Sequence, residues 1–227
     1  MMLLPGFGSS RLPMRVRSLL AVAVSLALFP LLYENAYKVT ANSADFRKAE
    51  LLLGEILIGV SLGLLARMFM IGLQFSATIL TNTIGLAPTP GAPIDDLEAT
   101  PPLVNFVSLC GTMMIFATDM HIVLIGAIID SYNFFKVGSP IDIGFHLDRI
   151  VNTLGKTSEL GLRLSGPYIV YSVVVNLAIG FLNKFTPQIS VYFVTTGMVA
   201  SGGLFLLYFS ISDWLNLFRL DFSSFFG

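Results

Sequence analysis

Apolar residues along this chain come in five long runs. The first, Ser18–Tyr33, carries no charge. The second, Leu51–Leu86, is interrupted only by Glu55 and Arg67. The third, Leu103–Ile129, contains Asp119 and His121. The fourth, Leu160–Asn183, contains Arg163, and the fifth is Ser190–Ser212. A bilayer core of ~30 Å needs ~20 apolar residues as helix, so runs three, four and five each predict one crossing, and Val16–Leu32 is just long enough for another. The second run is too long for one crossing, since about 36 residues at ~1.5 Å each reach ~54 Å. It predicts either one helix that projects beyond the membrane or a break near Arg67. The runs are too continuous for the two-residue alternation of a membrane β-barrel, which excludes that architecture.

The segments between runs add detail. Arg11, Arg15 and Arg17 before Ser18–Leu32 resemble the start of a secretory leader. The chain continues Tyr33-Glu34-Asn35 with no small-residue cleavage site, so a retained membrane helix is expected. Leu86–Pro102 (LAPTPGAPIDDLEATPP) holds five prolines, three acids and no Lys or Arg. Proline fixes φ and lacks an N–H, so no helix crosses this segment. Asp130–Glu159 reads as the longest polar connection and carries Lys136, Arg149 and Lys156. The positive-inside rule places it on the cytoplasmic side, opposite the lysine-free loop. Arg11, Arg15 and Arg17 then fall on the wrong side if the five runs simply alternate. The rule therefore gives no consistent topology, which points to misjudged spans, a missing segment or a protein that is not an ordinary multispan bundle.

Composition narrows the class of function. Of the 227 residues, 55% are apolar and 12% charged, about half the ~25% charged share of a soluble domain. Mean hydropathy is +0.80. These values exclude a disordered chain, a nucleic-acid binder and a standard soluble enzyme. The net charge of -1 leaves no global field to steer a polyanion, and one cysteine, Cys110, excludes an internal disulfide framework or a multi-thiolate metal site.

Polar residues inside the apolar runs are the candidate functional positions, because an ionisable group in lipid costs ~2.5–3.5 kcal/mol or more. Arg67, Gln74, Thr78 and Thr81 share one helical face by spacing, as do Ser108, Thr112 and Asp119. Asn176 and Asn183 repeat at seven residues. Two readings stay open: a polar seam or aqueous path formed by Arg67, Gln74, Thr78 and Asp119, or hydrogen bonding between helices of one bundle. Arg67 has Glu55 and Asp119 as possible ionic partners. Gly54, Gly59 and Gly63, and Gly197 and Ser201 beside Gly202 and Gly203, are small-residue patterns that let helices approach, within the chain or between copies.

Enzyme motifs fail. Gly155-Lys156-Thr157 looks like the end of a phosphate-binding loop, but the glycine required five residues earlier is Ile150, and no strand precedes it. Asp119-Met120-His121 is the one Asp/His cluster within a run. A metal site needs three or four ligands, and the other histidine, His146, lies far along the chain. Asp119 and His121 could serve a proton relay; a capping or packing role near a helix end is the preferred reading.

Three stretches together resemble one family. The first is Leu3-Leu4-Pro5-Gly6-Phe7-Gly8, followed by Leu12-Pro13-Met14-Arg15-Val16-Arg17 and an apolar helix ending in Phe29-Pro30. The second is Thr83-Ile84-Gly85-Leu86-Ala87, a proline-bearing loop, then an apolar stretch with Asp119-Met120-His121 and Asp130-Ser131-Tyr132. The third is the run from Asn176 to Asn183 with the turn Asn183-Lys184-Phe185-Thr186-Pro187-Gln188 and a returning helix. Together they resemble the FliR family of flagellar biosynthetic proteins, whose injectisome counterparts are the export-apparatus T components. The turn is closer to the flagellar form.

The resemblance implies an all-α, membrane-associated multi-helix protein with long broken helices and a C-terminal helical hairpin. It implies a FliP-like region over residues 1–159 and a FliQ-like hairpin and tail over 160–227. It implies a non-enzymatic subunit, with no cofactor, of the flagellar type III export gate in the bacterial inner membrane at the basal body. The partners implied are FliP-like and FliQ-like subunits, FlhB- and FlhA-like components, unfolded flagellar substrates and membrane lipid, with no nucleic acid. Family members usually begin with a further apolar helix before the proline-glycine segment; this sequence starts at Met1-Met2-Leu3-Leu4-Pro5, as if at the end of that helix, and two readings stay open, a start assigned too far downstream or an absent helix. By family position the Gly85–Pro102 loop matches a segment that projects into the pore; its rigidity, small residues and lack of bulk charge suggest that Pro88, Thr89, Pro90, Gly91, Ala92 and Pro93 help close the channel, in which case deleting Thr89–Ala92 raises ion leakage, and the alternative is a plain extramembrane connection. Asn183, Lys184, Pro187 and Gln188 form the hairpin turn. The competing functional class is an independent secondary transporter or proton channel. That class often shows matching broken helices in two halves, and no such duplication occurs here.

Overall fold

The computed structural model describes residues 3–8, 13–41, 45–86, 101–134, 143–185 and 191–226. Among these, six α-helices and no strand occur: α1 Met14–Thr40, α2 Asp45–Thr83, α3 Pro102–Ala117, α4 Met120–Phe134, α5 Ile143–Phe185 and α6 Val191–Phe226. The all-α expectation holds. Three described helices, α2, α5 and α6, are long and apolar enough to cross a membrane, and α3 with α4 would add a fourth as a bent pair.

The element boundaries decide one alternative that the sequence left open and correct the sequence reading in two places. The second run does not break at Arg67: α2 is one helix of 39 residues, ~58 Å long. Nothing in it interrupts the backbone ladder, and its C-terminus carries a defined stop. Gly85 adopts φ +73, the Gly85 N–H bonds the Asn82 carbonyl (3.3 Å) and the Leu86 N–H bonds the Thr81 carbonyl (3.0 Å). This is a Schellman end, in which glycine accepts the left-handed backbone at little cost.

The third run is not one straight crossing. It breaks at Thr118–Asp119, and the helices on either side bend by 70°. Asp119 has φ +57, a conformation that Asp tolerates better than most side chains. Its carbonyl accepts the Ile122 N–H (2.9 Å), which starts α4. Asp119 therefore does not share a face with Ser108 and Thr112. It ends one helix and begins the next, in line with the preferred capping role.

The fourth run starts earlier than its hydropathy indicates. Residues 143–159, read above as part of a polar connection, are the first turns of the 43-residue helix α5. Polar side chains there support helix locally: Asn152 donates to Asp148 (2.9 Å), and Arg163 pairs with Glu159 four residues back (2.9 Å). The fifth run likewise continues through the tail to Phe226.

The chain forms two compact units. The first is Met1–Met70, Ile115–Lys156 and Phe222–Gly227. In it Leu3 packs against Gly63, where a β-carbon would approach Leu3 to 2.7 Å, and Phe7 meets Phe116 edge-on (5.4 Å). Phe69, 1% exposed, packs against Phe222, Phe225 and Phe226. The second unit is Ile71–Met114 and Thr157–Asp221. Its contacts fix helix directions. Leu164 meets Trp214, Tyr168 meets Ser210 and Tyr171 meets Val199. One index rises as the other falls, so α5 and α6 are antiparallel and form the expected hairpin. Gly72 lies on Thr157 and Phe75 on Gly161, so α2 runs parallel to α5. Glycine is needed at these crossings because a β-carbon on Gly72 would stand 2.8 Å from the Thr157 carbonyl oxygen.

Candidate functional site

Hydroxyls within the apolar helices bond chiefly to their own backbone. Thr78 donates to the Gln74 carbonyl and Thr81 to the Ala77 carbonyl, both at 2.8 Å. Ser108 and Thr112 do the same to Val104 and Ser108. Such back-bonding satisfies a hydroxyl in an apolar helix without any neighbour. The spacing that suggested inter-helix bonding thus reflects, for these four residues, local satisfaction.

The remaining seam positions are spread over different settings. Arg67 is exposed, Gln74 half-buried, Thr78 exposed and Asp119 exposed in the α3–α4 break. Among the described residues Arg67 makes no ion pair with Glu55 or Asp119. Glu55 instead accepts a hydrogen bond from the Tyr132 hydroxyl (2.9 Å), which ties α4 to α2 within the first unit. The sequence reading quoted Tyr132 only for its family pattern. An intramembrane carboxylate needs a donor within reach, and that need is the signal that could have singled out tyrosine as well as arginine.

His121 lies beside Asp119 in sequence, but among the described residues the two share no hydrogen bond. The His121 ring packs on Phe116 (5.3 Å), and its Nδ1 is buried without a partner. No group of three His, Cys, Asp or Glu able to hold a metal occurs among the described residues. Gly155, Lys156 and Thr157 lie in the interior of α5, where no phosphate-cradling loop exists, and the Lys156 ammonium sits over the Phe225 ring (5.3 Å).

The proline-rich positions Pro88, Thr89, Pro90, Gly91, Ala92 and Pro93 lie outside the described residues, as do Pro187 and Gln188. Asn183 and Lys184 occupy the exposed last turn of α5. A cation suits the negative end of the helix dipole there.

The small-residue patterns resolve unevenly. Gly59 and Gly197 face open space. Gly202 and Gly203 do not: a β-carbon on Gly202 would strike the Tyr171 hydroxyl, and one on Gly203 would strike Ile84. These two glycines bring α6 onto both α2 and α5 inside the second unit.

Beside that contact lies a polar cleft of about 130 Å³. Asn82, Thr83 and Gly85 line it from the end of α2, Ser172 and Asn176 from α5, and Thr195 and Thr196 from α6. Its lining carries no charged side chain. Asn176 donates from Nδ2 to the Ser172 hydroxyl (3.1 Å), and Thr83 donates to the Leu80 carbonyl (2.7 Å). Of these residues the sequence reading singled out Asn176 but assigned it no cleft. Its companions are scattered over three helices, and no linear spacing joins them.

The packed heart of the second unit sits on the hairpin. Trp214, 3% exposed, donates Nε1–H to the Leu164 carbonyl (2.7 Å). Its ring meets the fully buried Tyr168 edge-on at 5.6 Å. The Tyr168 hydroxyl and the Ser210 hydroxyl are 2.6 Å apart. Each aromatic thus buries its ring and satisfies its polar atom, the condition for a stable interior Tyr or Trp.

The whole chain has relatives. The family model described as bacterial export proteins, family 1, matches residues 1–225. The flagellar biosynthetic protein FliR of Caulobacter vibrioides is 28% identical over 224 residues, covering 96% of this chain and 88% of that protein. FliR of Aquifex aeolicus is 26% identical over 211 residues, covering 91% and 79%. FliR of Escherichia coli is 25% identical over 209 residues, covering 89% and 76%.

Proposed function

Because this chain belongs to the bacterial export proteins, family 1, the FliR family, we propose that it is a non-enzymatic subunit of the flagellar type III export gate. In this reading it helps form the helical channel through which unfolded flagellar proteins cross the inner membrane at the basal body. The observation that carries the reading is the family match over residues 1–225, with the three relatives above matched over 88%, 79% and 76% of their length. Its neighbours are FliP-like and FliQ-like subunits, with FlhB- and FlhA-like components nearby. Residues 1–159 take the FliP-like place and residues 160–227 the FliQ-like place.

The helices support this reading in physical terms. At ~1.5 Å per residue, α2, α5 and α6 are ~58, ~64 and ~54 Å long, about twice the ~30 Å bilayer core. Much of each must therefore be tilted, or covered by something other than lipid tails. α1 makes the same point by exposure. Leu19, Leu26 and Phe29 are each more than half exposed, and no described residue of α1 is buried. A subunit of a larger helical assembly leaves such surface for its neighbours.

The test is a mild-detergent pull-down of the C-terminally tagged full chain from its native membrane, read by mass spectrometry. Recovery of FliP-like and FliQ-like proteins in one large complex is the expected outcome. Recovery of a monomer or homodimer that carries solute or protons by itself would overturn the reading in favour of a transporter.

A further inference from the structure

The polar cleft at the end of α2 offers donors and acceptors together, and no charge. Asn82 brings a side-chain amide, with two N–H donors and an acceptor oxygen. Asn176 gives one amide N–H to the Ser172 hydroxyl (3.1 Å) and keeps the other N–H and its oxygen. Ser172 accepts that bond and keeps its own proton. Thr195 and Thr196 add hydroxyl oxygens from α6, and a hydroxyl that donates elsewhere still accepts. The cleft reaches well into the apolar hairpin. Ser172 precedes Phe185, the last residue of α5, by 13 residues, about 20 Å along the helix. The Tyr171 bond to the Val199 carbonyl (2.8 Å) puts the matching stretch of α6 at the same depth. At that depth the outer faces of the hairpin are apolar: Val173, Val174 and Leu177 on α5 and Met198 on α6 are each more than half exposed.

We propose that this cleft is a water-filled notch, which carries a cluster of waters about 20 Å into a hairpin whose outer faces meet lipid tails or apolar neighbours. The mixed lining commits the choice. An ion would find no countercharge there. An aliphatic side chain would leave the two amides and Ser172 unpaired, at about 1–3 kcal/mol for each buried group. A single peptide group brings one N–H and one carbonyl, too few for polar groups on three helices. Water donates and accepts in any direction, and several molecules fit in about 130 Å³. Waters that bridge such groups are nearly as favourable as direct hydrogen bonds. The inference rests on the membrane setting of the export-gate reading and on none of its neighbours.

Cysteine accessibility in the full chain tests it. Cys110→Ala removes the native thiol, and single cysteines then replace residues in two pairs matched in depth. Ser172→Cys is at the notch and Val174→Cys on the outer face of α5; Thr196→Cys is at the notch and Met198→Cys on the outer face of α6. Native membranes, fragmented so that both surfaces are open, are treated with a charged methanethiosulfonate, and labelling rates are read by mass spectrometry. Equal amounts of each variant in the membrane fraction show that the substitutions are tolerated. The thiolate is the reacting species, and each unit by which an apolar setting raises the thiol pKa lowers its fraction tenfold. The notch cysteines should therefore label at least about tenfold faster than their partners. Equal rates within each pair would mean that the whole level stands in bulk water. Slow labelling of all four would mean that the cleft is dry or filled by another chain. Either result would overturn the notch. The pull-down described above reports on the neighbours alone, so its failure and the failure of the notch are separate results.

Discussion

The α5–α6 hairpin and α1 are built from the same apolar residue types and end up in opposite states. In the hairpin Tyr168 and Phe218 are fully buried and Trp214 nearly so, and the polar side-chain atoms of Tyr168 and Trp214 find partners in the chain. In α1 no described residue is buried. Its aromatic residues meet one another along its own surface, Phe29 to Tyr33 at 5.3 Å and Tyr33 to Tyr37 at 5.7 Å. The difference shows that hydrophobicity does not itself specify an interior. The hairpin carries paired small and large residues, Gly202 and Gly203 against Tyr171 and Ile84, which let backbones close on one another. The described part of α1 carries leucine, valine and alanine without a glycine. It fits lipid or a neighbour's groove.

Five substitutions would break or sharpen this contrast, each read as the unfolding free energy of the purified full chain in one detergent. Trp214→Ala should cost the most, about 3–5 kcal/mol, because it empties a buried site and removes the donor to Leu164. A loss below about 1 kcal/mol would mean that the hairpin is not the stable heart of its unit. Gly203→Ala should cost about 1–3 kcal/mol through collision with the buried Ile84. Gly197→Ala, at a position with open space, should be neutral or slightly stabilising, and equal effects at the two glycines would contradict the packing described. Tyr132→Phe should cost about 1–2 kcal/mol, since Glu55 then keeps a half-buried carboxyl without its donor. Leu26→Ala on α1 should also change the isolated chain by no more than about 0.5 kcal/mol. Its effect belongs to the assembly, where the same variant should reduce co-purification of neighbours. A large loss in the isolated chain would show that α1 has a partner within the molecule.

Much of this fold is legible in the sequence, and the places where it is not have identifiable causes. The hairpin can be read because runs four and five are long, apolar and separated by a short turn. The start of α5 cannot be read from hydropathy, since Asp148, Arg149, Asn152, Lys156 and Glu159 make residues 143–159 look like a connection. The signal that identifies it is periodic pairing, Asp148 with Asn152 and Glu159 with Arg163. The break between α3 and α4 has no proline or glycine to announce it. Asp119 reaches a left-handed backbone by itself, so a rule based on Pro and Gly passes over it. Of the seam positions, Thr78 turned inward to its own helix, which spacing cannot distinguish from bonding across helices. The cleft was hidden for a different reason: Asn82, Asn176 and Thr195 are brought together by helix directions, and direction is not written in any local motif.

The break at Asp119 also bears on how the chain enters a membrane during synthesis. α3 and α4 have 16 and 15 residues, so each spans only ~22–24 Å, less than the ~30 Å core. Neither half can partition into lipid as a stable crossing by itself. The pair must wait in the insertion machinery, or at the lipid surface, until an already inserted segment gives it shelter. α2, synthesised earlier and holding Glu55 ready for Tyr132, is that segment, so the order of the helices along the chain doubles as a schedule for biogenesis.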